Sequence, residues 1–338
     1  MSYILTVDSG SDRLAEWDDW VDRHPGGSVF HTWRWLKGFG SDPELFTVRD
    51  ERERTVGGMC LVKTRKYGVT GYHVPPYTPY FGPVVHDFAE KKRASALAHQ
   101  EKVVSMLLDA VTSVSHCDFI FPCNGFSILP FHWHHYSVEV RITFEIRASG
   151  EDPGNTWELS LEKSPRSHLR KLRSEVDRGD LKVFRSNRPD ASLYPMIAAV
   201  GKRKRFNPRI RRLETLLSGL EDHELSTYAV ADTSGELLAG DICVVDSGRY
   251  YMLTSFRHPE WRQRCPHAHL LSRALSIQTC LNNNKIFDFE GSMIRGVADF
   301  NRSLGGEPAP VFRAQRSKSI RFNLARCIRR LTHEFGTR

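Results

Sequence analysis

No stretch of this 338-residue chain comes near the roughly 18 to 20 uninterrupted apolar residues that a membrane-spanning helix needs. The first twenty residues do not read as an export leader either: they hold four Asp and one Glu where a leader would be basic and then apolar. Cysteine is scarce. The seven residues (Cys60, Cys117, Cys123, Cys243, Cys265, Cys280, Cys327) are odd in number, scattered and never spaced C-x-x-C, which argues against a disulfide framework and against a zinc knuckle. The expectation is of reduced thiols in a cytoplasmic protein. Low-complexity segments and short-period repeats are missing as well. What remains is an ordinary globular composition, 40% hydrophobic and 26% charged, in a chain about twice the length of a typical domain. Two medium-sized domains, or one large one, are expected.

The formal net charge of +8 is unevenly placed. Residues 311–338 hold eight Arg or Lys against one acid, Glu334, and residues 161–213 hold sixteen against five. These segments carry +7 and +11, which leaves −10 on the rest of the chain. Basic segments on an acidic body suit a phosphate-bearing partner, because guanidinium forks match phosphate oxygens in pairs. One such run is as readily a solvated face. Two in one chain point to polyanion binding.

Periodicity predicts amphipathic helices over residues 12–23 and 28–39, separated by His24-Pro25-Gly26-Gly27. A strand over Thr55–Lys63, a Pro- and Tyr-rich loop, a helix over about 90–113, and strands over Asp118–Pro122 and Ser137–Ile146 follow. The Gly, Pro, Asp and Asn cluster of residues 149–155 marks a domain boundary near 150, dividing the chain into 1–150 and 151–338. Pro165–Gly179 then reads as a basic helix with Ser164 as N-cap. After a strand at Leu181–Phe184 and helix over 190–221 come strands Leu225–Val230, Leu237–Val245 and Arg249–Phe256. Turns at Thr233-Ser234-Gly235 and Asp246-Ser247-Gly248 make these three an antiparallel meander. A helix over His267–Asn282, a strand over Lys285–Phe289, a short helix near Ile294–Ser303 and a strand over Val311–Gln315 complete an α+β half, of which the first half is a looser copy.

That order, with Asp288-Phe289-Glu290-Gly291-Ser292-Met293 and then Phe300, Asn301 and Leu304-Gly305-Gly306, resembles the duplicated form of the acetyltransferase (GNAT) superfamily. Within it the chain looks like the FemABX-like peptidyltransferases and their acyltransferase relatives, whose "DF-G" strand end and "F-x-x-x-FGG" closing element these residues match. Arg166 to Lys171, running to Gly179, is similar to the helix that opens the family's second domain. Val29-Phe30-His31-Thr32 through Trp35 and Lys37 resembles the opening helix of its first. The resemblance spans nearly the whole chain. It implies two tandem GNAT-like domains, each a mixed, mostly antiparallel sheet flanked by helices, with 1–150 a degenerate copy on the acceptor side and 151–338 the acyltransferase copy with its basic tail. The superfamily's pyrophosphate loop, Q/R-x-x-G-x-G/A, should precede the helix at His267, yet residues 262–269 contain no glycine. Glycines there let backbone N–H groups approach phosphate, and Pro266 removes one donor.

The resemblance implies acyl transfer, in which an amine attacks an activated ester or thioester where the strands Arg249–Phe256 and Lys285–Phe289 splay apart. Glu290 and Asp288, two apart on one strand face, are the candidate proton acceptor and its partner; the plainer reading of Asp288 is a cap or an ion pair. Arg166, Arg170 and Lys171 at a helix start, Lys37, and Arg262 with Arg264 are candidates for substrate phosphate. Lys202, Arg203, Lys204, Arg205 and Arg209 have the density for an RNA backbone, or for a solvated turn. His132, His134 and His135 lack an acid or cysteine at ligand spacing, so aromatic packing is expected and no metal. Cys265 beside Arg264 has the setting of a lowered-pKa thiol, but no His-Asp pattern accompanies it. The leading expectation is an aminoacyltransferase that uses aminoacyl-tRNA as co-substrate and a peptide, peptidoglycan precursor or related metabolite as amine acceptor, with no resident cofactor. The alternatives are a coenzyme A thioester as donor, and a non-catalytic RNA-binding or regulatory module on the same scaffold.

Overall fold

The computed structural model describes residues 2–324 except Ser9, Ser41, Asn124, 204–206, Ser292 and Arg321; the side chains of Arg203 and Arg262 also lie outside the described residues, as do Cys327 and most of the basic tail. The chain divides into two units, Met1–Arg141 with Pro310–Arg338, and Ile142–Ala309.

In the first unit β1 (Tyr3–Asp8), α1 (Ser11–Arg23) and the short α2 (Trp33–Leu36) precede β2 (Glu44–Asp50) and β3 (Thr55–Leu61). The small hairpin β4 (Thr64–Lys66) and β5 (Val69–Gly71), β6 (Val84–Val85), α3 (Arg93–Ala110), β7 (His116–Pro122) and α4 (Leu129–Trp133) follow, and β8 (Ser137–Ile146) begins. β1-β2-β3-β6 form an antiparallel sheet. Leu14, Trp17 and Val21 of α1 share a buried face at helical spacing, and a Cβ at Gly58 would stand 2.7 Å from the Trp17 ring. The helix expected over 28–39 is instead a 3-10 turn, a four-residue α-helix and a second 3-10 turn. Side chains take over the backbone donors: the Asp18 carboxylate accepts from the N–H groups of Trp33 and Arg34, Thr32 Oγ1 accepts from Trp35 N–H, and left-handed Gly40 (φ 78°) stops the run.

The second unit continues with α5 (Pro153–Ser160), α6 (Lys163–Asp177), β9 (Leu181–Ser186), α7 (Leu193–Arg203) and α8 (Ile210–Ser218). Next come β10 (Leu225–Asp232), β11 (Leu237–Val245), β12 (Arg249–Arg257), α9 (Trp261–Arg264), α10 (Ala268–Asn282), β13 (Ile286–Asp288), α11 (Arg295–Ser303) and β14 (Glu307–Ser317). From Pro310 onward β14 belongs to the first unit, and from Val311 it pairs with β7. The second unit's sheet runs β8-β13-β12-β11-β10-β9, antiparallel except for β12 with β13. Its core is α10, whose Leu270, Leu271, Ala274, Ile277, Cys280 and Leu281 are all buried; each large aliphatic side chain there contributes about 1.5–3 kcal/mol. The turn-like cluster at 149–155 proves to be a helix start, with Pro153 in the first turn and the Asp152 carboxylate accepting from Asn155 N–H at 3.2 Å. α6 starts two residues before the predicted point, with Glu162 and not Ser164 in the N-cap position and no side-chain capping bond. Pro165 is tolerated in its first turn because N–H groups there have no intrahelical partner.

Candidate active site

β12 and β13 pair in parallel over only three residues, Arg249↔Ile286, Tyr250↔Phe287 and Tyr251↔Asp288. β13 then stops while β12 runs on to Arg257. A cleft of about 820 Å³ lies along the part of β12 that β13 does not accompany, lined by Met252, Ser255 and Arg257 from that strand, by the starts of α6 and α10, by Trp261, and by Val297, Phe300 and Asn301 of α11.

What ends β13 is legible in the hydrogen bonds. The Asp288 carboxylate accepts from Thr143 Oγ1 at 2.6 Å and from the N–H of Glu290 at 2.9 Å, while Thr143 Oγ1 accepts from Gly291 N–H at 2.8 Å. These bonds hold Glu290 (φ 59°) and Gly291 (φ 84°) left-handed, a conformation that costs a non-glycine residue about 1–2 kcal/mol. Glu290 has therefore left the strand, and the one-face argument that paired it with Asp288 does not apply. Asp288 is buried and lies 3.7 Å from Arg249, which also pairs with Glu145, the residue opposite Asp288 on β8. The Glu290 Oε1 is sealed from solvent without a hydrogen-bond partner, and burial together with the Asp288 charge pushes its pKa well above the usual carboxylate range.

The cleft wall carries Arg257, Arg273 and Glu162 and is rich in donors. Two fifteen-residue helices, α6 and α10, begin there, and each places partial positive charge at its start. Arg273 of α10 is buried in a bidentate pair with Asp241 of β11, at 2.7 and 3.0 Å. His168 and His267 stack at 3.9 Å. His269 has an Nδ1 that is buried and unpartnered, and burial with Arg257 and Arg273 brings its pKa down to about 3, so the ring is neutral across the ordinary pH range. Asn301 is 1% exposed and its Nδ2 has no partner. Its backbone is fixed because α11 ends in a Schellman turn: Gly306 N–H donates to Asn301 O at 3.0 Å and left-handed Gly305 N–H to Arg302 O at 2.9 Å. A Cβ on Gly306 would come within 2.8 Å of that same carbonyl.

The structure brings few of the predicted site residues together. Neither Asp288 nor Glu290 lines the cleft. α6 starts beside it, but Arg166 folds back to donate to Leu159 O at 2.9 Å, Arg170 is exposed, and Lys171 is exposed beside Glu175 at 3.9 Å. Arg264 is held by Asp232 and Glu236, and the Arg262 side chain lies outside the described residues. Lys37, in the first unit, sits over the Trp33 ring at 4.6 Å. Of the RNA-binding set, Lys202 and Arg209 are exposed, while Lys204, Arg205 and the side chain of Arg203 lie outside the described residues. His132 and His134 lie in the helix α4 and at its end; His134 places Nδ1 2.7 Å from the Pro130 carbonyl oxygen and Nε2 3.1 Å from the Asp109 carboxylate, both acceptors. Burial raises the Cys265 pKa, the opposite of an activated thiol, since Arg264 is already paired with carboxylates. Sequence reasoning gave His269 and Asn301 no place in the site: Asn301 counted only as part of the motif that carries the resemblance, and a histidine at a helix start reads as a cap or as loop packing. The available signal was polar side chains inside apolar surroundings: a histidine in the first turn of the core helix, and an asparagine ahead of the double glycine.

Neither a protein-family model nor a curated protein matches this sequence. Solved structures do. The fold is that of the GNAT-like proteins, here as two GNAT-like units in tandem. A structure described as FemX is 14% identical over 93% of this chain and 97% of its own, with a TM-score of 0.63. A tandem GNAT protein from the clavulanic acid biosynthesis pathway is 11% identical, covering 94% and 99% with a TM-score of 0.51. L-PGS from Bacillus licheniformis is 10% identical, covering 94% and 96% with a TM-score of 0.52. Among the described residues no helix is long and apolar enough to cross a membrane.

Proposed function

We propose that the chain is an N-acyltransferase whose donor occupies the cleft of the second unit. The observation that carries this reading is the parallel β12–β13 pair that parts after Tyr251 and Asp288, with the cleft lying along the freed strand. The likeness in fold to FemX and to a tandem GNAT protein supports it. In such a reaction an amine attacks the acyl carbonyl, a C–N bond forms, the ester C–O bond breaks, and negative charge builds on the carbonyl oxygen. Asn301 Nδ2 and Nδ1 of the neutral His269 ring are unpartnered in the cleft wall, and the amide, with the imidazole in its Nδ1–H form, is suited to meet that charge without reorganising. Glu290 lies outside the cleft lining, and its raised pKa takes it out of the role of the base that receives the amine proton.

For the donor, the reading is aminoacyl-tRNA. The stretch 262–269 runs from α9 through Cys265, Pro266 and His267 into α10; with no glycine to let the backbone approach and Pro266 lacking an N–H, it offers a coenzyme A pyrophosphate few backbone donors. The acceptor is an amine of a peptide, peptidoglycan precursor or related metabolite. Incubation with charged, labelled tRNA and a panel of amine acceptors should give RNase-sensitive transfer of the label. Transfer only from acyl-CoA, with a coenzyme A-dependent rise in melting temperature, would make the thioester the donor; transfer from neither would overturn the enzymatic reading.

A further inference from the structure

A second cavity in the same unit, of about 710 Å³, lies against the sheet at β9, β10 and β11, with α7 as its wall. This is within the size range of small-molecule sites. Phe184, Leu193, Met196 and Leu237 make it apolar. β10 presents Thr227 and Ala229 to it, two apart on one strand face. Thr227 is 3% exposed and its hydroxyl has no hydrogen-bond partner, a polar group of the kind that a bound ligand satisfies.

The charged residues of the two sites differ. The donor cleft is lined by Arg257, by Arg273 in its pair with Asp241, and by Glu162, whereas among the described residues the second cavity has no Lys or Arg and two acids, Asp190 and Glu236. Both Glu236 oxygens are taken, by His258 and Arg264. Asp190 stands at the rim without a cationic partner among the described residues, one oxygen accepting from Ser192 N–H at 2.8 Å, and the bonds from Ser192 lower its pKa and keep it ionised.

We propose that this cavity binds a small primary amine with an apolar body: the body lies over β10 and α7, and the ammonium meets Asp190. Such binding requires neither the donor cleft nor acyl transfer, so it stands or falls apart from the proposed reaction. The test uses the full chain and isothermal titration with octylamine, octanol and octanoate at one pH near neutrality. Octylamine should bind at least tenfold more tightly than octanoate. Asp190→Asn, at an exposed position, should bring octylamine to within about threefold of octanol, and Thr227→Val should weaken the polar ligands severalfold. Ala199→Phe, which fills the cavity from α7, should abolish binding while circular dichroism shows the fold retained. Octanoate binding as tightly as octylamine, or octylamine affinity unchanged in both Asp190→Asn and Thr227→Val, would overturn the proposal.

Discussion

The buried Glu290 carboxyl makes a quantitative prediction about stability. In the unfolded chain a glutamate ionises with a pKa of about 4.3. In the folded protein Oε1 is sealed and unpartnered, and burial with the nearby Asp288 charge raises the pKa well above that value. Between the two pKa values the native state therefore holds a proton that the unfolded state has lost. Stability contributed by this group is fully present below about pH 4.3 and falls as pH rises towards the folded pKa, by about 1.4 kcal/mol per pH unit. Glu290→Gln keeps the shape and removes the titration. Urea unfolding of both proteins from pH 4.5 to 7.5 should show the variant gaining on the parent steadily, by about 1.4 kcal/mol per unit, until the folded pKa is reached. Other perturbed groups, such as Asp18 at about 6 and His24 at about 4, tilt both curves equally and cancel in the difference. Parallel curves across the range would show that Glu290 ionises normally in the fold and would refute the reasoning. They would also return the residue to the list of candidate bases.

Three further outcomes follow from the same geometry. Asn301→Ala should lower kcat by about 10²-fold with little change in KM, the signature of a donor used mainly in the transition state, and equal losses in binding and turnover would mark it as a substrate contact instead. Asp241→Asn leaves the Arg273 guanidinium buried without its counter-charge and should cost about 3–5 kcal/mol by chemical denaturation. Replacing Arg166, Arg170 and Lys171 together by Gln should weaken tRNA binding and flatten its salt dependence, because fewer counterions are released, at an unchanged urea midpoint. An unchanged salt slope would make α6 a solvated face.

The second unit's order was readable because its elements carry strong local signals. Turns with Gly at 233–235 and 246–248 set the meander, and apolar residues at helical spacing mark α10. β1 and β2 went unread: β1 is a short edge strand with exposed Ile4 and Val7, so its apolar residues mimic neither a helix face nor a buried strand. The 28–39 segment misled because Trp35, Leu36 and Phe39 sit at helical intervals, whereas Asp18, fifteen residues upstream of Trp33, claims the donors that would have continued the helix. Side-chain competition of this kind across the sequence is invisible to periodicity. The same applies to the cleft, whose unpartnered donors come from α10 and α11, elements that only the fold brings to one surface.

The "DF-G" motif was read from the sequence as a catalytic pair, and the structure gives it a prior role. Asp288 accepts two hydrogen bonds and faces Arg249, so its charge is committed to the strand end. Through the Glu290 N–H it turns the chain left-handed one residue after Phe289, and Gly291 continues that turn because no side chain opposes it. The consequence is that β13 cannot follow β12 beyond Tyr251, and the edge of β12 from Met252 to Arg257 is left to face the cleft. Phe289 itself is buried against Phe287, anchoring the turn on the core side. A carboxylate that opens the strands shapes the site without touching substrate, whereas two groups of the cleft wall, His269 Nδ1 and Asn301 Nδ2, are buried without a hydrogen-bond partner. Position and chemistry are thus divided between residues: the motif visible in the sequence builds the gap, and the donors beside that gap come from helices whose polar side chains carry no catalytic signal in the sequence.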